Sequence, residues 1–361
     1  MSHGAARIAL PAERRPGFPR PAILPLLLLL LLGVAATGCA PVVKGPGAPV
    51  TEPRLEEDRL VMADGAVLPL RHWMPATEPP QAILLALHGF NDYSGAFADP
   101  AKDWAAAGIA TYAYDQRGFG RAPNPGFWPG TEALIDDLRA TARLLREAYP
   151  ATPLYILGES MGGAVAMTAA TEPDPPTADG LILAAPAIWG RELQGMVANG
   201  ALWFFAHTMP WLKMSGAQLQ IQPSDNIAML RALGKDPLVI KETRIDAIYG
   251  LVGLMDRSLA AAPKLRAPAL LLYGAREEVI PGEAAAAMLH RLTPAPAGPR
   301  TALYAKGYHM LLRDLASAVV RQDIAAWIHH PDLPLPSRAD DLARRVLDSD
   351  AEDLALGKAA E

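Results

Sequence analysis

The sequence predicts the α/β class: a mostly parallel sheet with helices on both faces and a helical insertion. Three observations carry this. Short, continuously apolar runs ("QAILLALHGF", "IATYAYDQRGFG", "PLYILGES", "DGLILAAPA", "APALLLYGARE") recur along the chain, as strands buried on both faces should. Helix-like segments alternate with them, the pattern of parallel strands joined by crossover helices. Between about Ile188 and Ala262 the alternation stops and gives way to helical pieces rich in Trp, Phe, Met and Leu.

The first residues belong to no strand or helix of such a fold. Arg7, Arg14, Arg15 and Arg20 precede "PAILPLLLLLLLGVAATGCA": a positive region, a leucine run short for a bilayer span, and small residues before Cys39. This order matches an export signal over residues 1–39, with an uncleaved signal anchor as the alternative. Arg14-Arg15 lacks the rest of a twin-arginine motif. "ATGC" (Ala36 to Cys39) resembles the lipobox of bacterial lipoproteins, in which the cysteine is lipidated and becomes the mature N-terminus; Ala36 stands where that pattern favours leucine. The resemblance implies a lipid anchor at Cys39 on a membrane surface. Ala40 in place of aspartate implies the outer membrane, facing the periplasm.

Residues 40–56, rich in Pro and Gly, read as a flexible linker. "RLVMADGAVLPLRHWMP" reads as two strands with a turn at Asp64-Gly65. "PAKDWAAAG" is helical, and "GTEALIDDLRATARLLREAYP" is a strongly periodic helix with Thr131 as its N-cap and Pro150 beyond its end. "PRTALYAKGYH" supplies the last strand. Residues 331–361 open with prolines and turn acidic; a poorly ordered tail is expected, with at most a short amphipathic helix in Arg338 to Leu356. The folded domain therefore covers residues 57–330. Its insertion, about 188–262, is either ordinary helical core or a cap over a site at the carboxyl ends of the strands.

Composition excludes other classes. Half of the 361 residues are apolar and the net charge is −5, with no basic stretch interleaved with aromatics, which argues against nucleic-acid binding. The lone Cys39 rules out an intramolecular disulfide and a cysteine-based metal cluster. No feature asks for a metal or an organic cofactor.

The chemistry centres on "GESMG" (Gly158 to Gly162), which fits G-x-S-x-G. A strand-to-helix turn there lifts Ser160 clear of the sheet, and its flanking glycines relieve the clashes such a turn creates. A serine needs a base. His309 follows the last predicted strand, whereas His3 lies in the signal, His72 in the hairpin, His207 and His290 in helical segments, and His329 and His330 near the tail. Oxyanion donors are expected from the N–H of Met161, next to the serine, and of Phe90, in the "HGF" loop that His88 helps to hold. Glu277 and Glu278 follow the strand "ALLLYG"; only one can face His309, and Glu277 is favoured.

From about Glu57 to His330 the chain resembles the α/β-hydrolases of the monoacylglycerol lipase and lysophospholipase group, classed with the serine aminopeptidases. The resemblance rests on "LHGFNDYSGAF", "YDQRGFGRAP", "LGESMGGAVA", "SDNIAMLRALGKDP", "LLLYGAREEVIP" and "YHMLLRD". It implies a nucleophile at Ser160, an acid at Glu277, a base at His309, oxyanion donors at Phe90 and Met161, and a helical cap. Glu277 stands where the group usually has aspartate. The implied activity is cleavage of acyl-lipid esters through an acyl-enzyme, with no cofactor. A short-chain esterase or aminopeptidase of the same fold, and a non-catalytic envelope lipoprotein on this scaffold, are the alternatives.

Overall fold

The structure is a computed structural model that describes Met1 and residues 40–216, 221–292 and 299–348. The signal segment and Cys39 lie outside the described residues. Three short strands, β1 (Arg54–Leu55), β2 (Arg59–Val61) and β3 (Val67–Trp73), pair antiparallel at one edge of the sheet. The predicted turn joins β2 to β3, with Gly65 at φ 79°. Next come β4 (Ala82–Leu87), β5 (Ile109–Tyr114), β6 (Leu154–Glu159) and β7 (Gly180–Ala184). A separate ribbon of β8 (Lys213–Ser215) and β9 (Glu242–Arg244) precedes β10 (Ala269–Gly274) and β11 (Arg300–Tyr304). Across the sheet the order is β1-β2-β3-β5-β4-β6-β7-β10-β11, parallel from β5 onward.

Every residue of β4, β5, β6, β7 and β10 is buried, which is why these strands read as unbroken apolar runs. Alternate residues feed two cores. Ile83, Leu85 and Leu87 face one that contains α2 (Thr131–Ala148) and α3 (Met161–Ala169). Ala82, Leu84 and Ala86 face the other, filled by Trp104 of α1 (Pro100–Ala106) and by Trp327 of α8 (Ser317–His329). The N-cap of α2 is Gly130, not Thr131. The chain enters that helix at φ 93°, which glycine adopts and threonine resists.

The insertion divides in two. Helices α4 (Met196–Thr208) and α5 (Ile227–Lys235) bury almost nothing: Ala206 in the first and no residue in the second. By contrast α6 (Ile245–Ala261) buries Leu251, Leu254, Met255 and Leu259 against α3, so this part of the expected cap is core. It is followed by β10 and then α7 (Gly282–Arg291).

Two expected flexible segments are held. The N–H of Lys44 donates to Trp128 O (2.8 Å), that of Val42 to Asp246 Oδ2 (3.3 Å) and that of Val50 to Ala63 O (2.7 Å), so residues 42–50 form a strap rather than a free linker. An extended, proline-rich chain leaves N–H groups unpaired, and here the domain surface supplies acceptors. The tail likewise carries α9 (Ala339–Asp348), which packs along β11 with Ala339, Asp340 and Ala343 buried and Arg344, Arg345 and Asp348 exposed. Ser337 caps it, accepting from the N–H of Ala339 at 3.1 Å. The short amphipathic helix allowed for in Arg338 to Leu356 thus forms, and what composition did not indicate is its packing on the sheet; residues 349–361 lie outside the described residues.

Candidate active site

Strand β6 delivers Ser160 to the carboxyl edge of the sheet, immediately before α3. Its backbone sits at φ 52°, ψ −113°, a conformation costly for any residue with a Cβ and typical of strain kept at functional turns. Surrounding hydrogen bonds hold it: the N–H of Ser160 donates to Ala184 O (2.9 Å), while its carbonyl accepts from Ala164 (3.0 Å) and Ala187 (2.9 Å). The two flanking glycines are required by space. A Cβ on Gly158 would overlap the Gly162–Gly163 peptide, and one on Gly162 would overlap Leu87 O.

His309 and Glu277 are brought together. His309 Nδ1 and Glu277 Oε2 lie 2.7 Å apart, both side chains nearly sealed from solvent. The other oxygen, Oε1, accepts the N–H groups of Val279 (2.6 Å) and Ile280 (3.0 Å), so the extra methylene of glutamate is fixed by its own loop. Burial opposes ionisation of Glu277, but the His309 charge and these bonds prevail and lower its pKa. Burial likewise opposes the imidazolium, yet the Glu277 carboxylate raises the His309 pKa above its ordinary 6.5. Glu278 turns away and accepts the N–H of Gln222 at 2.7 Å. Asp256, in the helix before β10, binds the Arg191 side chain and backbone N–H at the start of the insertion.

The "HGF" loop lies against the serine: a Cβ on Gly89 would meet Ser160 Cβ at 3.4 Å. His88, fully buried, braces that loop. Its Nε2 accepts the N–H of Gln116 (3.0 Å), so Nδ1 carries the hydrogen and donates to Gly89 O (2.8 Å). Burial lowers its pKa, in keeping with a neutral imidazole. The Phe90 ring turns aside onto Phe119, centroids 5.5 Å apart. Met161 opens α3, so its N–H has no acceptor within that helix.

The insertion is bonded to three of these loops. Asn91 Nδ2 donates to Thr243 Oγ1 (2.6 Å) and Ser224 Oγ to Asp314 Oδ1 (2.6 Å), while Gln222 reaches Glu278. The second oxygen of Asp314 accepts the N–H of Tyr308 (2.7 Å), adjacent to His309. Among the described residues no His, Cys, Asp and Glu cluster could hold a metal ion.

Residues 78–316 match the family described as serine aminopeptidase, S33. The chain belongs to this family. It is similar to the monoglyceride lipase of Homo sapiens, 26% identical over 298 residues that cover 78% of this chain and 92% of the relative. The monoacylglycerol lipase of Mycolicibacterium smegmatis is 24% identical, covering 71% and 90%. Among solved structures, a monoacylglycerol lipase of Paleococcus ferrophilus superposes with a TM-score of 0.61 at 20% identity, over 72% of this chain and 98% of that one. The fold is that of the α/β-hydrolases.

Against this family background, the sequence reading missed four residues that shape the site: Asp92, Glu159, Arg313 and Asp314. Asp92, Glu159 and Asp314 are ionisable yet buried, and the Arg313 side chain is only a tenth exposed. The available signal was their setting, since Glu159 ends an otherwise apolar strand and "RD" closes the apolar turn "YHMLL". The motif "YDQRGFG" proves to be scaffold: Arg117 is forked between Asp64 and Asp137, and Asp115 accepts from Ser94 and the N–H of Arg121.

Proposed function

We propose that this protein is a carboxylic ester hydrolase acting on acyl-lipid esters such as monoacylglycerols or lysophospholipids. The observation that carries the reading is the His309–Glu277 hydrogen bond on loops beside a strained serine elbow. Glu277 holds the hydrogen on Nδ1 and leaves Nε2 free to take the proton of Ser160 as Oγ attacks the ester carbonyl. The N–H groups of Phe90 and Met161 receive the oxyanion, each worth about 3 kcal/mol in the transition state. His309 then passes its proton to the departing alcohol, leaving an acyl-serine. Water, deprotonated by the same imidazole, releases the fatty acid and restores the enzyme.

The lipid character of the substrate is supported by relatives named as monoacylglycerol lipases and by the insertion, where Trp203, Phe204 and Trp211 remain more than half exposed. Each methylene buried from an acyl chain contributes up to about 0.8 kcal/mol, roughly fourfold in kcat/KM. Catalytic efficiency is therefore expected to climb from acetyl to medium-chain esters, and Ser160→Ala to abolish turnover and labelling by a fluorophosphonate probe. A flat chain-length series, or preference for an aminoacyl anilide, would replace the lipid reading by a general esterase or an aminopeptidase. Undiminished turnover in Ser160→Ala would remove the nucleophile assignment itself.

Membrane anchoring through Cys39 is part of the proposal. Three residues lead from Cys39 to Val42, a chain of about 10 Å at most, and Val42 is bound to Asp246 beside the Trp211–Leu212 turn. A lipid on Cys39 thus tethers the domain close to the apolar insertion. Cys39→Ser should abolish incorporation of labelled fatty acid and move the protein out of the membrane fraction; unchanged labelling would sink the anchor.

A further inference from the structure

The triad reading leaves one buried charge cluster unused, and it lies where three loops of the site meet. Arg313, four residues beyond His309, binds Asp92 Oδ2 at 2.8 Å and Glu159 Oε2 at 3.1 Å. Asp92 lies two residues after Phe90 in the candidate oxyanion loop, and Glu159 directly precedes Ser160. All three side chains are at most a tenth exposed. A single guanidinium thus joins the loops that carry the base, the nucleophile and an oxyanion donor. The insertion adds a further tie, since Asn226 Nδ2 donates to Arg313 O at 2.9 Å.

Stability alone accounts poorly for such a cluster. Two carboxylates face one cation, and Glu159 Oε1 and Arg313 Nε are buried without a hydrogen-bond partner. Buried ion clusters that are incompletely paired are generally poorer stabilisers than apolar packing of the same volume. What this geometry offers is a fixed separation between three loops, which the reaction requires.

We infer that Arg313, with Asp92 and Glu159, is a positioning cluster that registers His309 and the oxyanion loop against Ser160. The inference rests on the Ser160–Glu277–His309 reading. The charged groups facing His309 are Glu277 from the acid loop, Glu159 from the elbow and Arg313 from its own loop. Glu159 favours the imidazolium and Arg313 disfavours it, so the two residues act on the base with opposite sign.

The experiment compares kcat, KM and the acid limb of kcat/KM for wild type, Glu159→Gln, Arg313→Gln, Arg313→Lys and Ser160→Ala, each checked for folding by circular dichroism and Tm. Glu159→Gln should move the acid limb to lower pH and Arg313→Gln to higher pH, each by at least about 0.5 to 1 unit, the size of one charge acting across about 3 to 6 Å when screened as strongly as in water. Arg313→Lys keeps the charge but loses the fork, so its limb should stay in place while kcat falls about 10- to 100-fold with KM within about threefold. Should Arg313→Gln fail to fold, Glu159→Gln and Arg313→Lys decide. Unmoved limbs with wild-type kcat in folded variants, or losses confined to KM, would overturn the inference. Ser160→Ala separates the two readings: if it is inactive while the other variants match wild type, only the positioning role fails; if it retains wild-type turnover, both fail.

Discussion

Strand β6 and helix α4 are both strongly apolar in sequence, yet all six residues of β6 are buried whereas the thirteen of α4 bury only Ala206. Around β6 the groups next to the elbow are held: one oxygen of Glu159 by Arg313, the Ser160 N–H by Ala184, and the serine carbonyl by two N–H donors. Around α4, aromatic side chains remain at the surface, with Trp203 stacked on His207 at 4.6 Å and Phe204 against Phe205. Equal hydrophobicity has been put to different ends. In the sheet it fixes the backbone that presents Ser160; in the insertion it leaves apolar area that nothing within the described residues covers.

The adjacent glutamates show the boundary between these regions at single-residue scale. Glu277 faces His309, and Glu278 reaches into the insertion at Gln222. The largest effect expected in this comparison is therefore Glu277→Gln. An amide at this place cannot accept the Nδ1 hydrogen and the two loop N–H groups equally well, so kcat should fall about 10³- to 10⁴-fold, as loss of the corresponding acid does in a serine protease. Glu278→Gln keeps an oxygen for the Gln222 N–H and should change kcat by less than about threefold. Steady-state kinetics on one soluble ester measures both. Equal losses would erase the boundary drawn here, and a crippled Glu278→Gln would reverse it.

A second test sets core against insertion directly. Leu157 is fully buried in β6, and its truncation to alanine should cost about 2 to 5 kcal/mol in urea unfolding. Trp203→Ala and Phe204→Ala remove as much apolar surface or more, but about half of it already lies in water, so stability should fall by only about 1 kcal/mol, less than for Leu157→Ala. Their effect should fall on long-chain esters, with acetyl ester turnover preserved. Large destabilisation by either aromatic change would mean that the insertion is ordinary core after all.

The legible parts of this protein were those where one residue type has one physical use. Unbroken apolar runs announced the buried strands, and glycines around a serine announced the elbow, because only glycine fits where Gly158 and Gly162 pass neighbouring backbone. Chain order pointed to His309 and to the Glu277–Glu278 pair, and the family resemblance to the first of these two. The missed features depend on contacts distant in sequence. Nothing local to Arg313 indicates that its partners stand at 92 and 159. Nothing in the acidic composition of residues 331–361 reveals that Ala339 and Ala343 face β11. The strap at 42–50 was hidden for the same reason, since its acceptors at Ala63, Trp128 and Asp246 lie elsewhere in the chain.

The smallest effect expected concerns Asp314, which joins the two regions by accepting from Ser224 in the insertion and from the Tyr308 N–H beside the base. Burial pushes its pKa up from 3.8 to about 6, against the two hydrogen bonds and with help from the charges of Asp225 and Glu159. A carboxyl group whose pKa is raised on folding binds its proton more tightly in the native state. Its contribution to stability is therefore greatest below pH 3.8, declines as pH rises towards 6 and is level above that. Allowing for partial solvent screening, the decline amounts to about 1 kcal/mol. Asp314→Asn cannot titrate, and a hydroxyl can turn from donor to acceptor, so Ser224 can still meet the amide. Urea unfolding at pH 4.5 and pH 8 should then show the variant gaining on wild type by about that amount at the higher pH. Parallel behaviour at the two pH values would mean that Asp314 ionises as easily in the folded chain as in the unfolded one, and that the junction between insertion and histidine loop carries no proton-linked strain.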